Sequence, residues 1–170
     1  MYDPNDLSVF PISAGLDGNG QLTVAGHNLA VLAKTYGTPL YVYDGGTIRN
    51  RVSTLKENLD RYYPGNSETA YAVKAYFSSV FAGKIASLGI GADVVSLGEL
   101  HVAKKAGFSA EGIHLHGNNK TEAELREALD WGIQAIVVDS LDELSFLENI
   151  AREMGKVARI WLRITPDLKV

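Results

Sequence analysis

Beyond residue 64 the chain alternates short apolar runs with amphipathic stretches. The runs fall at 69–74, 92–95, 113–116, 135–138 and 158–164. They are continuous, as in AIVVD, and so predict strands covered on both faces. Between them VFAGKIASLG, LGELHVAKKAG, KTEAELREALDWG and SLDELSFLENIAREMG carry the helical period. These four helices are expected to end at glycines, Gly89, Gly107, Gly132 and Gly155. Thr121 with Glu124 and Ser140 with Glu143 have the spacing of capping boxes. Repeated strand–helix units with short connections predict a parallel sheet with helices outside it. Its closure is either an open doubly wound sheet or a (β/α)₈ barrel.

The first 63 residues read differently. GLDGNGQLTVAG holds an Asp17-Gly18-Asn19-Gly20 turn between extended pieces and predicts a hairpin. NLAVLAKTYG predicts a helix capped by Asn28 and stopped at Gly37. TPLYVYD, at 38–44, has the aromatic and β-branched content of a strand. Gly45-Gly46 is expected to break it, and Thr47 to cap a helix with Val52, Leu55 and Leu59 on one face. Pro64-Gly65 closes that unit.

Composition narrows the function classes. No apolar run approaches the ~18 residues of a membrane helix, and MYDPNDLSVFPIS has neither the basic start nor the apolar stretch of a secretory signal. There is no cysteine, hence no disulfide framework and no Cys-ligated metal. These features predict a cytoplasmic protein that does not meet a membrane. Lys and Arg number 16 against 20 Asp and Glu, a net charge of −4. The basic residues are interleaved with acids, so no cationic face for nucleic acid is expected.

Nucleotide-binding loops are absent. Gly89-Ile90-Gly91 has Val94 where a third glycine belongs, and precedes a strand instead of following one. A barrel enzyme carries its chemistry at the C-terminal strand ends. There this chain has Lys74, Ser96, His116, Asp139, and Arg163 with Thr165. Lys74 sits among small apolar and aromatic neighbours in YAVKAY. A poorly hydrated amine there would be neutral and fit for Schiff-base chemistry; the alternative is a lysine reaching from a strand end into water. Asp93, inside a small-residue strand, needs a cationic or hydrogen-bonding partner if it faces inward. Glu99 opens a helix, where the dipole favours an acid. His116 precedes Gly117-Asn118-Asn119-Lys120, a loop a ligand can approach closely, and no second ligand stands at metal spacing. Ser96 lies in no nucleophile elbow.

Six segments together resemble a known family: TPLYVYD, YAVKAY (71–76), GADVVSLGEL (91–100), HLHGNNKTEAEL (114–125), VVDSLDEL (137–144) and LRITPD (162–167). In order and spacing they resemble the pyridoxal-phosphate-dependent decarboxylases of the alanine-racemase-like fold. YAVKAY is common to the ornithine and arginine branches. GADVVSLGEL and HGNNK are closer to the diaminopimelate branch. The resemblance implies an α/β chain holding about five of the eight strands of a (β/α)₈ barrel. Residues 1–45 would form an arm and strands belonging to a second, β-rich domain, and residues 46–170 would begin the barrel. It implies that Lys74 binds pyridoxal 5'-phosphate covalently, with Asp93, His116 and Arg163 around the cofactor. Glu99, Ser96 and Asn118 would stand near the substrate or behind the cofactor.

The implied reaction is decarboxylation of meso-2,6-diaminopimelate to L-lysine. The implied partners are an amino-acid substrate and a second subunit in a homodimer with shared active sites. A complete barrel needs ~250 residues, and the family's phosphate loop, pyridinium-facing glutamate and C-terminal β-domain are not in this stretch. By itself it is expected to be inactive. The alternatives are a sister decarboxylase of ornithine, arginine or carboxynorspermidine, an alanine racemase, or a module that binds pyridoxal phosphate without turnover.

Overall fold

The computed structural model describes residues 7–166, and the chain divides into two compact units at Gly65. In the first, β1 (Ala14–Leu16), β2 (Leu22–Val24) and β3 (His27–Asn28) form an antiparallel sheet in chain order. The hairpin turn is held by Asp17, whose Oδ1 accepts the N–H groups of Asn19 and Gln21, both at 2.9 Å. Its Oδ2 accepts from Asn28 Nδ2 at 2.8 Å. The Asn28 side-chain Oδ1 in turn accepts the Val31 N–H and caps α1 (Leu29–Tyr36), which stops at Gly37 as expected.

Two expectations for this unit are corrected. Residues 37–44 form no strand in the described structure. The composition of TPLYVYD suits a ladder, but a strand exists only where another strand accepts its hydrogen bonds. The helix after it starts earlier than expected: α2 runs Gly45–Tyr62, with both glycines in its first turn, and Asp44 is the cap in place of Thr47. The Asp44 carboxylate accepts the N–H groups of Gly46 and Thr47 at 2.9 and 3.2 Å. It also accepts the hydroxyls of Thr47 and Ser13. Those hydroxyl bonds, the Thr47 one foremost, lower its pKa to about 2. A carboxylate satisfies two orphan donors at a helix start where a threonine hydroxyl satisfies one.

The second unit is a five-stranded parallel sheet in the order β4-β5-β6-β7-β8. The strands are β4 (Ala70–Ala72), β5 (Gly91–Val94), β6 (Ile113–Leu115), β7 (Ala135–Val138) and β8 (Ile160–Leu162). Helices α3 (Ser79–Ala86), α4 (Leu97–Ala106), α5 (Glu122–Trp131) and α6 (Leu141–Met154) connect them. Each strand pairs with its predecessor in sequence, with no reversal of order. A doubly wound sheet reverses at its switch point, so the unit is part of a barrel wall. The outer strands are shorter than the apolar runs predicted, because only residues with a ladder partner count. Lys74 therefore lies just past β4, in a 3₁₀ turn, Val73–Ala75.

Alternation along the strands sorts the two faces. Ala92 and Val94 of β5, Ile113 and Leu115 of β6, and Ile136 and Val138 of β7 are buried with Ile85, Leu100, Leu125 and Leu147 of the helices. The opposite face carries Asp93, paired in register with His114, which is paired with Ala135. The capping residues behave as their types require. Thr121 and Glu124 make the full capping box. Ser140 accepts the Glu143 N–H at 3.1 Å, but the Glu143 carboxylate binds Lys120, so that box is half closed. Helix α3 ends at Ala86 with Ser87 as cap, so Gly89 lies beyond it and is not its terminus.

One glycine is demanded by packing. A Cβ on Gly91 would stand 2.2 Å from the backbone oxygen of Gly112, where β5 and β6 begin side by side. Gly91→Ala is expected to destabilise the unit by about 1–3 kcal/mol, the usual cost of overpacking. Urea unfolding checks this, and an unchanged midpoint would show that the strands can separate there without loss.

Candidate cofactor-binding site

The C-terminal ends of the parallel strands surround an open cleft of about 560 Å³. Lys74, Asp93, His116, Asn118 and Arg163 all line it, together with Ala72, Val95, Gly117 and Val137. Five of the seven residues that the resemblance implies for the site thus share one cavity. The remaining two, Ser96 and Glu99, are not part of its lining. Ser96 caps α4 by accepting the Glu99 N–H at 3.2 Å. The Glu99 carboxylate accepts the Val95 N–H at 2.7 Å, so both hold the β5–α4 turn behind the cleft wall.

Lys74 is exposed, as are Ala72 and Ala75 beside it. Of the two readings of this lysine, an amine reaching from the strand end into water is the one this stretch of chain shows. Arg163 follows β8, and its Nη1 lies 3.1 Å from Asp139 Oδ1 at the end of β7. That pair ties two neighbouring strand ends together. His116 Nε2 stands 3.7 Å from Asp93 Oδ1. Burial above all pushes the His116 pKa down. Asp93 pulls it back up, while His114, Lys120 and Arg163 push with burial.

His116 is accordingly expected to be neutral at pH 7. Because its folded pKa lies below the ordinary value near 6.5, its contribution to stability is complete above that value and falls as pH drops through it. Asp93→Asn removes the one opposing charge, so the His116 titration should move to still lower pH. An NMR titration of its ring protons reads this directly, and an upward move would contradict it.

Sequence reasoning missed two residues. His114 is buried, and its Nδ1 lies 3.0 Å from Asp93 Oδ1, supplying the partner that an inward-facing Asp93 needs. His114 and His116 are two apart in the run that the sequence predicts as a strand, a spacing that puts both on one face. Lys120 is the other. Its Nζ donates to Gly117 O, Val137 O and Glu143 Oε1 at 2.7, 2.6 and 2.6 Å, with the lysine side chain buried and that of Glu143 nearly so. It stitches the 117–119 loop to β7 and α6. Only the tertiary fold brings those three acceptors together.

The donor set matches pyridoxal phosphate: a free primary amine for an aldehyde, a neutral imidazole on the wall and a guanidinium at the far strand end. A lysine, a carboxylate, a histidine and an arginine from β4, β5, β6 and β8 or the residues just after them thus line one cleft in the barrel wall. Residues 45–170 match the family described as "Pyridoxal-dependent decarboxylase, pyridoxal binding domain", and the chain belongs to that family. It is similar to the diaminopimelate decarboxylase of Bacillus subtilis (strain 168), 43% identical over 152 residues, covering 89% of this chain and 34% of that protein. The Aquifex aeolicus diaminopimelate decarboxylase is 43% identical over 150 residues, covering 88% and 34%. The crystal structure of the M. jannaschii diaminopimelate decarboxylase in complex with L-lysine superposes with a TM-score of 0.86 at 32% identity, covering 93% and 37%. The chain spans about a third of the length of the curated relatives it matches. Among the described residues no helix is long and apolar enough to cross a membrane.

Proposed function

We propose that this chain is the pyridoxal-binding part of a carboxy-lyase that converts meso-2,6-diaminopimelate to L-lysine and carbon dioxide. The observation that carries the reading is the convergence of Lys74, Asp93, His116 and Arg163 on one cleft at the ends of β4, β5, β6 and β8. Relatives named for that activity at 43% identity support the choice of substrate. The M. jannaschii relative described in complex with L-lysine supports an amino-acid ligand.

When bound, pyridoxal phosphate supplies an aldehyde for amines to condense with and an electron sink for the bond broken as carbon dioxide leaves. The chain's own residues do the rest. Lys74 would offer the primary amine that holds the group covalently. Asp93 presents a carboxylate at the cleft floor, and neutral His116 forms part of the wall. Arg163, tied to Asp139, keeps a fixed positive charge at the opposite strand end. Glu99 and Ser96 hold the turn that carries Val95, and Asn118 borders the loop side of the cleft. We assign residues 1–45 to a second, β-rich domain and 46–170 to the barrel, and the working protein to a cytoplasmic homodimer.

The test is product analysis with the whole protein, loaded with cofactor and offered meso-diaminopimelate, ornithine, arginine, carboxynorspermidine and alanine in turn. L-lysine with carbon dioxide from the first alone supports the reading. Carbon dioxide from another substrate in preference, or racemised alanine, would replace it.

A further inference from the structure

His114 is a buried titratable group that the chemistry above leaves unused. Its residue is 3% exposed. Its ring stacks on Trp161 of β8, with centroids 4.4 Å apart and planes 27° from parallel. Its Nε2 is buried with no hydrogen-bond partner; Glu68 Oε2 lies 3.7 Å from it, beyond bonding reach. An ionised carboxylate only accepts hydrogen bonds. Against an ionised Asp93, the 3.0 Å contact between His114 Nδ1 and Asp93 Oδ1 places the imidazole proton on Nδ1. Asp93 Oδ2 has no hydrogen bond among the described residues, and Asp93 lines the cleft. One oxygen is tied down and the other is left for the occupant.

We propose that His114 is a positioning residue that fixes the Asp93 carboxylate toward the cofactor. Stacking on Trp161 sets the ring plane, and the Nδ1 proton sets the rotamer of Asp93. Such support behind a binding carboxylate is what keeps it within tenths of an ångström of its working position. The inference rests on the reading of this cleft as a pyridoxal site.

The experiment compares two variants of the whole protein by spectroscopic titration with pyridoxal phosphate, alongside thermal melting. His114→Phe keeps the stacked ring and removes the donor. His114→Asn keeps a donor near the Nδ1 position and loses the stack. Positioning predicts that His114→Phe binds the cofactor at least about tenfold more weakly at an unchanged melting temperature, about the weight of one hydrogen bond to a charged group. His114→Asn should recover most of the affinity, and His114→Phe should cost nothing further in an Asp93→Ala background. A purely structural histidine predicts the reverse order, with Phe tolerated and Asn damaging, and that result overturns the proposal.

If His114→Phe fails to fold, side-chain ¹⁵N correlation spectra of the unsubstituted, cofactor-free protein decide instead. A proton on Nδ1 supports the assignment, and a proton on Nε2 with bare Nδ1 contradicts it. An unsubstituted protein that neither binds pyridoxal phosphate nor releases carbon dioxide would remove the proposed function, and this role with it. One that does both while His114→Phe matches it would remove only this role.

Discussion

Lys74→Ala in the whole protein is expected to abolish covalent attachment of pyridoxal phosphate and to lower decarboxylation by at least about 10²-fold. That is the low end of what one group moving protons in a reaction contributes, before the loss of the covalent tether is counted. The fold should survive, because Lys74 is exposed in a 3₁₀ turn past the end of β4 and no ion pair or hydrogen bond of the described residues depends on its amine. Absorbance of the bound cofactor and carbon dioxide release measure the two effects, and circular dichroism reports the fold. A Lys74→Ala protein that still holds the cofactor covalently would move the reactive amine elsewhere.

Lys120→Met should cost about 3–5 kcal/mol of folding stability, the range for removing one partner of a buried ion pair. The methionine fills the space of the lysine stem but leaves the Glu143 carboxylate buried without its cation. It also leaves the carbonyls of Gly117 and Val137 without their donor. Adding Glu143→Leu removes the stranded charge and should recover part of the loss. The two carbonyls remain unsatisfied at about 1–3 kcal/mol each. Urea unfolding of the single and double variants measures this. A single variant within about 1 kcal/mol of the parent would mean that Lys120 holds nothing together.

These residues show how the sequence divided into legible and illegible parts. Helices α4, α5 and α6 were readable because cap, period and terminal glycine agree along each stretch, and strand order followed from short connections. TPLYVYD misled because β-propensity describes a side-chain surface, while a strand is made by a neighbouring strand. The start of α2 was misread because two glycines resemble a break, whereas Asp44 supplies enough acceptors to begin a helix across them.

The cleft was largely legible because parallel strands deliver their C-terminal residues to one side, so Lys74, His116 and Arg163 could be grouped without knowing any distance. Asp93 could be flagged as needing a partner, yet naming His114 required the register between β5 and β6. Lys120 was hidden for another reason. A lysine in a loop reads as solvated, and its burial depends on a glutamate 23 residues away on α6. The last residue of LRITPD, Asp167, lies outside the described residues.

The most direct test of the account is borohydride reduction of the whole protein with pyridoxal phosphate bound, followed by peptide mapping by mass spectrometry. One pyridoxyl-modified peptide is expected, carrying the label on Lys74 within YAVKAY. A label on any other lysine, or a protein that takes no label at all, would contradict it.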